Sequence, residues 1–128
     1  MPGDTMAVFE KYLAASRAKD IDAMAACWHP DGKGIHPLRP DRGWRGREMF
    51  RRVWTLMWED NPTARYEVVS TAVTDDRFFL EARMELPDGT TIPSVNVFEV
   101  EDGLIREVRV YTDMPASDGV SIDRFISR

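Results

Sequence analysis

The 128-residue sequence contains one cysteine, Cys27, and two histidines, His29 and His36. A single cysteine cannot form an internal disulfide, and the chain has too few thiolates for a cysteine-based zinc site. The two histidines are seven positions apart and have no cysteine partner, so we expect no metal site. The sequence also lacks a glycine-rich phosphate loop and a G-x-S-x-G nucleophile motif. We therefore expect a protein that works without a cofactor.

Long hydrophobic runs are missing as well. No apolar stretch approaches the roughly 20 residues that span a bilayer, and residues 1–4 lack the basic and apolar segments of a secretory signal. The 17 basic and 22 acidic side chains give a net charge of −5, which argues against general nucleic-acid binding. These absences predict a cytoplasmic protein that binds neither membranes nor nucleic acids.

What is present is an ordinary globular composition. Hydrophobic residues make up 43% of the chain and charged residues 30%, and this balance excludes disorder over the whole chain. The length fits one domain with one core. We therefore expect a single domain over residues 1–128, with a polar C-terminal tail at 114–128.

The first half of the chain has helical periodicity. Apolar residues at three- and four-residue spacing predict helices over 6–17, 21–28 and 47–58, the second of them capped by Asp20. The segment 29–32, His-Pro-Asp-Gly, is typical of a turn. Residues 34–38 could form a short strand, and 39–46 is expected to be a loop because it contains one proline and two glycines.

The second half alternates with the period of a strand. Strands are predicted over 66–73, 78–86, 92–100 and 104–113, with turns at 87–90 and 101–103. Helices followed by an antiparallel meander indicate an α+β fold. Such a sheet curls over its helices, and a chain with four tryptophans and six phenylalanines can enclose an apolar pocket of the kind that binds small molecules.

Five segments carry a family resemblance. They are KDIDAM at 19–24, WHPDG at 28–32, WRGRE at 44–48, VFEVEDGLI at 97–105 and YTD at 111–113. In this order and spacing they resemble the SnoaL-like branch of the nuclear transport factor 2-like superfamily. The resemblance implies a cone: a curved antiparallel sheet wrapped over three N-terminal helices, with a pocket at the open end. It also implies a homodimer.

Within this superfamily, the sequence can be compared with ketosteroid isomerase. The resemblance places Tyr12 at the isomerase's helix tyrosine, His36 at its general-base aspartate before a shared proline, and Asn96 near its second oxyanion-hole acid. Histidine is partly neutral at pH 7 and can accept a proton. Tyrosine and asparagine can both donate hydrogen bonds to an enolate oxygen. Since two of the three residues are replaced, isomerisation of steroids itself is left open.

Two other activities of the superfamily bear on these residues. SnoaL-type cyclases use a late carboxylate with a histidine, for which Asp113 and His36 are the nearest pair here. Limonene epoxide hydrolases resemble the chain less, because Glu81, Arg83 and Asp113 are present but Val110 stands where a second aspartate is needed. Strand alternation predicts that Asp113 faces away from the pocket unless the strand bulges.

The ligand is expected to be a small hydrophobic molecule. Strand alternation and the aromatic content predict the following contact residues: Trp28, Trp44, Trp54, Phe50, Phe78, Leu80, Phe98, Val110 and Thr112.

Two functions follow from these residues. The first is a proton-transfer enzyme, an isomerase, cyclase or dehydratase, in which His36 is the acid or base and Tyr12 and Asn96 polarise a carbonyl oxygen. The second is a non-catalytic module that binds a small ligand or dimerises. The same residues also have purely structural explanations, since Tyr12 and Trp54 could belong to the core and His36 could end a strand.

Overall fold

The chain folds, in a computed structural model that describes residues 2–112, into three helices followed by most of a six-stranded sheet. The helices are α1 (Pro2–Arg17), α2 (Ile21–Ala26) and α3 (Arg47–Asp60). The three predicted helices are confirmed, with shifts of a few residues at their ends. Asp20 caps α2 as expected, because its Oδ1 accepts a 3.0 Å hydrogen bond from the backbone N–H of Ala23.

The six strands form one curved, unclosed sheet in the order β2-β1-β6-β5-β4-β3. They are β1 (Trp28–Ile35), β2 (Trp44–Arg45), β3 (Arg65–Val73), β4 (Arg77–Glu85), β5 (Thr91–Glu101) and β6 (Leu104–Thr112). The predicted meander β3–β6 is antiparallel throughout. The sheet as a whole is mixed, which corrects the expectation of an antiparallel one, because β1 pairs with β6 in parallel. The fold class is α+β, as predicted.

The start of β1 differs from the sequence prediction. The sequence predicts a turn at residues 29–32 and a strand at residues 34–38. In the structure, one strand runs continuously from Trp28 to Ile35. The turn-forming residues lie in an irregular stretch where the pairing with β6 shifts between Trp28 and Lys33. The predicted loop 39–46 contains a short 3-10 turn at Pro40–Arg42 and the two-residue strand β2. Pairing with β1 stabilises β2, and the local sequence does not reveal that pairing.

The helices cover one face of the sheet. Val8, Tyr12 and Ala15 of α1 pack with Phe78 of β4 and Phe98 of β5 in a single buried cluster. The rings of Phe78 and Phe98 stack, with centroids 4.5 Å apart and an interplanar angle of 11°. This cluster fixes α1 over β4 and β5 and thereby positions Tyr12.

Gly34 in β1 allows a close approach between the strand and an indole ring. A Cβ atom at this position would collide with the Cε2 and Nε1 atoms of Trp44. We expect Gly34→Ala to displace the Trp44 ring and to lower the free energy of unfolding by about 1–3 kcal/mol, the usual cost of overpacking. Urea denaturation followed by tryptophan fluorescence measures this. An unchanged midpoint would show that the ring can move at no cost.

Two predictions concern residues outside the described range. Asp113 and the tail at 114–128 both lie there, so the strand end at Asp113 and the tail stay predictions. The single-domain assignment over 1–128 also stays a prediction.

Candidate functional site

A cavity of about 120 Å³ lies between the covered face of the sheet and helices α1 and α3. Its walls are mostly apolar. Its lining residues are Tyr12, Trp28, His36, Trp44, Phe50, Val53, Trp54, Met57, Tyr66, Met84, Ile92, Ser94, Asn96, Phe98, Val108, Val110 and Thr112. The structure therefore places Tyr12, His36 and Asn96 in the wall of the same cavity.

The strand register explains why these residues meet. Residues directly opposite one another in neighbouring strands point to the same face. Asn96 of β5 lies opposite Val110 of β6, and Ser94 lies opposite Thr112. Ile35 of β1 lies beside Arg109, so the next residue, His36, is level with Val110. His36, Val110 and Asn96 thus form a row across the covered face, spanning two strand spacings or about 10 Å of backbone.

His36 lies where β1 ends. Its backbone carbonyl accepts a 2.9 Å hydrogen bond from the N–H of Arg39, which closes the turn that follows the strand. Pro37 comes next and cannot donate a ladder hydrogen bond, so the strand stops here. The side chain is 6% exposed, which places an imidazole inside a largely apolar enclosure. A histidine in this setting can exchange protons with a ligand bound in the cavity.

Tyr12 reaches the cavity from α1. Its ring lies against Phe98, with centroids 4.9 Å apart, and more loosely against Phe50 at 6.4 Å. Burial raises the pKa of Tyr12 well above 10, and the nearby Tyr66 and Cys27 add to this increase, while the Ser16 side chain opposes it. The phenol therefore keeps its proton through the physiological range and acts as a hydrogen-bond donor.

The sheet contributes a short polar row to the cavity. Asn96 is 7% exposed, and its Nδ2 donates a 3.3 Å hydrogen bond to the Ser94 hydroxyl oxygen. An amide nitrogen carries two donor hydrogens, so this bond leaves Asn96 one for a ligand. The Thr112 hydroxyl donates to the backbone oxygen of Pro93 at 2.8 Å, which uses its donor within the protein.

Aromatic rings enclose the rest of the cavity. Trp28 lies 5.1 Å from Trp44 and 4.9 Å from Phe50, centroid to centroid, and Phe50 lies 6.2 Å from Trp54. Arg47 holds the start of β1 in place, because its Nε donates to the backbone oxygen of Trp28 at 2.9 Å. Flat rings packed in this way favour a flat or cyclic apolar ligand.

Two predicted contact residues, Phe78 and Leu80, do not line this cavity. They point to the covered face as predicted, but they lie on β4, where α1 packs directly above them. Phe78 is fully buried, 5.4 Å from Phe9 and 6.1 Å from Tyr12. Leu80 is fully buried in the same cluster. Strand alternation identifies the face of the sheet, but it does not tell which part of that face the helix covers.

The other predicted contact residues do line the cavity, and Asp113 lies outside the described residues. Glu81 and Arg83, which an epoxide hydrolase of this superfamily would need in its site, point away from the cavity. Glu81 accepts a 2.7 Å hydrogen bond from Ser70, and Arg83 pairs with Glu67 at 3.1 Å, all on exposed side chains of the opposite face. The cavity therefore does not contain that arginine and acid.

Sequence reasoning missed part of the lining. Val53 and Met57 belong to the apolar stripe of α3, and Ser94 shares the strand parity of Asn96, so these residues could have been found. Tyr66 could not, because it comes from the edge strand β3 and reaches the cavity only through the curvature of the sheet. Its ring meets Trp54 edge-on at 5.8 Å.

Tyr12, which is buried, and Tyr66, which is partly buried, predict a loss of stability at high pH. Burial raises the pKa of Tyr66 to about 12, and the pKa of Tyr12 is raised above 10. Above pH 10 the unfolded chain releases phenolic protons that the native state retains, so the free energy of unfolding falls as the pH rises. We expect the raised pKa of Tyr66 alone to lower the free energy of unfolding by roughly 2 kcal/mol between pH 8 and pH 12.

Urea denaturation between pH 8 and pH 12 checks this expectation. Tyr66→Phe should flatten the decline, because phenylalanine has no phenolic proton to release. A decline as steep in Tyr66→Phe as in the wild type would contradict the assignment to burial.

Residues 4–112 contain no group of three or more His, Cys, Asp or Glu side chains arranged to hold a metal ion. In the described part of the chain, none of the helices combines the length and apolar character needed to cross a bilayer.

Comparison with solved structures identifies the fold. An NTF2-like protein of unknown function from Mesorhizobium loti is 21% identical, with a TM-score of 0.78 over 88% of this chain and 93% of its own. A candidate ketosteroid isomerase from Kribbella flavida DSM 17836 is 18% identical, with a TM-score of 0.74 over 99% and 90% of the two chains. A candidate polyketide cyclase from Sinorhizobium meliloti is 18% identical, with a TM-score of 0.67 over 80% and 92%. At these identities the likeness concerns the fold.

Sequence comparison assigns the family. No functionally curated protein matches the chain. The family model of the SnoaL-like domain matches residues 9–108, a range that covers part of α1, all of α2 and α3, and reaches into β6. The solved structures share its nuclear transport factor 2-like fold. The chain therefore belongs to the SnoaL-like family of the nuclear transport factor 2-like superfamily.

Proposed function

We propose that this protein is a cofactor-independent enzyme that moves a proton next to the carbonyl group of a small hydrophobic compound. One observation carries the proposal. His36, Tyr12 and Asn96 come from a strand end, a helix and the middle of another strand, yet all three line one aromatic cavity. Each is less than one-tenth exposed, and hydrogen bonds to a ligand are stronger in such a buried, apolar setting than in water.

The chemistry assigns each side chain a separate step. The His36 imidazole accepts a proton from the carbon beside the carbonyl, the C–H electron pair becomes a C=C bond, and the carbonyl oxygen becomes an enolate. Tyr12 and Asn96 donate hydrogen bonds to that oxygen as its charge develops. The imidazolium then returns the proton either to a conjugated carbon, which gives an isomer, or to the same carbon, which restores the substrate. The enolate itself is the intermediate from which cyclisation or dehydration proceeds.

Exchange of deuterium into a simple ketone tests proton transfer without knowledge of the natural substrate. We expect the protein to speed incorporation of deuterium beside the carbonyl of cyclohexanone in D2O, followed by proton NMR. His29→Ala removes the other histidine, which is outside the cavity, and should leave exchange unchanged. Exchange that is no faster than with His36→Ala would contradict the proposal.

A second function, binding without catalysis, is favoured by the seven aromatic rings in the lining. A binding protein should keep its affinity in His36→Gln, because the imidazole performs no chemistry. It should lose affinity in Phe98→Leu or Trp44→Leu, which remove ring surface from the wall. Weakened binding in these two variants is expected for either function. Deuterium exchange that persists in Phe98→Leu and Trp44→Leu would therefore favour the enzyme.

We also propose that two copies associate through the uncovered face of the sheet. Val95 and Tyr111 lie directly opposite each other on β5 and β6 and are 42% and 39% exposed. Val95→Lys places a charge on this face beside Glu81, and we expect it to yield a monomer in sedimentation velocity. Leu38→Lys changes an exposed residue of the loop after β1 and should leave the wild-type mass. A wild-type monomer would refute the proposal.

A further inference from the structure

Two hydroxyl groups in the cavity lining have no role in the proposed mechanism. They belong to Tyr66 on β3 and Ser94 on β5. The Ser94 oxygen accepts a hydrogen bond from Asn96, and its own hydrogen forms no bond within the described residues. Tyr66 forms no side-chain hydrogen bond there either, since burial is the one cause that raises its pKa to about 12. Both hydroxyls can therefore donate to a ligand.

The Tyr66 side chain points from the edge of the sheet toward its middle. Tyr12 packs on Phe98 of β5, and a charge on the Tyr66 oxygen raises the pKa of Tyr12, so the two phenols lie near each other. The Tyr66 side chain is only partly buried, and its oxygen is not sealed off as the indole nitrogen of Trp28 is. A ligand in the cavity can therefore reach this hydroxyl.

The strand register places Ser94 between Tyr66 and Asn96. Tyr66 lies opposite Met84, and Met84 lies opposite Ile92 of β5, so Tyr66 is level with Ile92 at two strand spacings. Ser94 is two residues further along β5, and Asn96 is two residues further again. Each step of two residues covers about 7 Å. The cavity therefore has a second polar region, Ser94 with Tyr66, about 7 Å from Asn96.

The charge of the lining limits the kind of group that this region can bind. Among the described residues, those that line the cavity include no arginine or lysine. A carboxylate or phosphate would therefore lose its water without gaining a counter-charge, which is costly. Two hydroxyl donors are better suited to a neutral acceptor, such as a carbonyl or ether oxygen.

We propose that Tyr66 and Ser94 form a second polar subsite, which binds a neutral oxygen acceptor of the substrate away from the carbonyl that His36 acts on. The substrate is then a ketone with a second oxygen roughly 7 Å from the first, the separation of Ser94 from Asn96 along the strand. This inference rests on the proposed function for the position of the reacting carbonyl only. Tyr66 and Ser94 determine which ketones the cavity selects.

Two ketones that differ in a single position test the subsite. 4-(Methoxymethyl)cyclohexanone carries an ether oxygen beyond the ring carbon opposite its carbonyl, and 4-propylcyclohexanone has a methylene group there. We expect Tyr66→Phe to weaken binding of the methoxymethyl ketone about 5- to 10-fold, the effect of one hydrogen bond between neutral groups. Binding of the propyl ketone should stay within twofold of the wild type. Titration followed by tryptophan fluorescence gives both dissociation constants.

Two further variants locate the effect. Tyr111→Phe removes a phenol from the uncovered face of β6, outside the cavity lining, and should leave both affinities unchanged. Ser94→Ala should weaken binding of the methoxymethyl ketone about 3- to 5-fold and that of the propyl ketone less than twofold, because Asn96 still donates to the carbonyl oxygen.

The remaining outcomes overturn the inference. Equal weakening of both ketones in Tyr66→Phe would show that the hydroxyl supports the cavity wall and binds no ligand. Unchanged affinity for both would show that the hydroxyl does not meet the ether oxygen. A protein that binds neither ketone at millimolar concentration would remove the subsite together with the ketone site.

The proposed function fails in a different way. If the methoxymethyl ketone binds with the expected dependence on Tyr66, but deuterium exchange beside its carbonyl is no faster than in His36→Ala, the subsite stands and proton transfer is refuted. If exchange depends on His36 while Tyr66→Phe does not distinguish the two ketones, proton transfer stands and the subsite is refuted.

Discussion

His36→Ala is expected to slow proton exchange at the carbon beside a ketone carbonyl by about 100- to 10,000-fold, the usual contribution of a general base. Affinity for the ketone should change less than threefold, because the apolar rings and the donors Tyr12 and Asn96 remain. The imidazole therefore affects the rate constant and leaves the dissociation constant nearly as it was. Deuterium incorporation by NMR gives the first quantity, and titration of cyclohexanone gives the second.

Two further variants separate catalysis from support of the cavity. His36→Gln keeps polarity and approximate size but cannot accept a proton at neutral pH, so it should be as slow as His36→Ala. Asn96→Ala keeps the base His36, and we expect its exchange rate to fall about 10- to 100-fold. This is somewhat less than the usual effect of removing an oxyanion-hole donor, because Tyr12 still donates to the carbonyl oxygen. Full exchange activity in His36→Gln would rule out the histidine as the base.

Phe78→Ala is expected to give the largest loss of stability, about 3–5 kcal/mol. Phe78 is fully buried, stacks on Phe98 at 4.5 Å and meets Phe9 edge-on at 5.4 Å. Its removal leaves a hole between α1 and the sheet that the backbone cannot close. Phe79→Ala, the next residue on the half-buried opposite face, should cost less than 1 kcal/mol. Urea denaturation of the two variants checks the difference.

The same position tests the boundary of the site. A chain that loses this much stability can unfold, so Phe78→Leu is the variant to use for binding. It should bind cyclohexanone as the wild type does, since Phe78 lies under α1 and outside the cavity lining. Phe98→Leu should bind it more weakly. Equal weakening in both would show that the cavity extends along β4 from Met84 as far as Phe78, as the sequence predicts.

Local sequence determined the helices and the meander. The helix α2 begins after Asp20 because a carboxylate at that position accepts the N–H of Ala23. The strands β3 and β4 show a two-residue alternation in sequence, and two of the three turns of the meander contain Asp-Gly pairs, which accept positive φ angles at Asp102, Gly103 and Gly89. These are short-range effects, so the order of neighbouring residues is sufficient to predict them.

The place of β1 was set by distant contacts. Its sequence, WHPDGKGI, contains two glycines and a proline and has weak strand propensity. It forms a strand because β6 pairs with it on one side and β2 on the other, over separations of more than 70 and about 10 residues. This pairing also puts His36 level with Val110, so the histidine's position depends on the parallel register.

The sequence by itself determined an α+β fold of the SnoaL-like family and the types of residue available for chemistry. Periodicity, capping and turn residues act over a few positions, and the family's segments are visible in order along the chain. Only the tertiary structure decided which candidates share a cavity. It placed Tyr12, His36 and Asn96 together and moved Phe78 and Leu80 into the core. These outcomes depend on strand register and on where α1 covers the sheet, and both are set by packing between residues far apart in the chain.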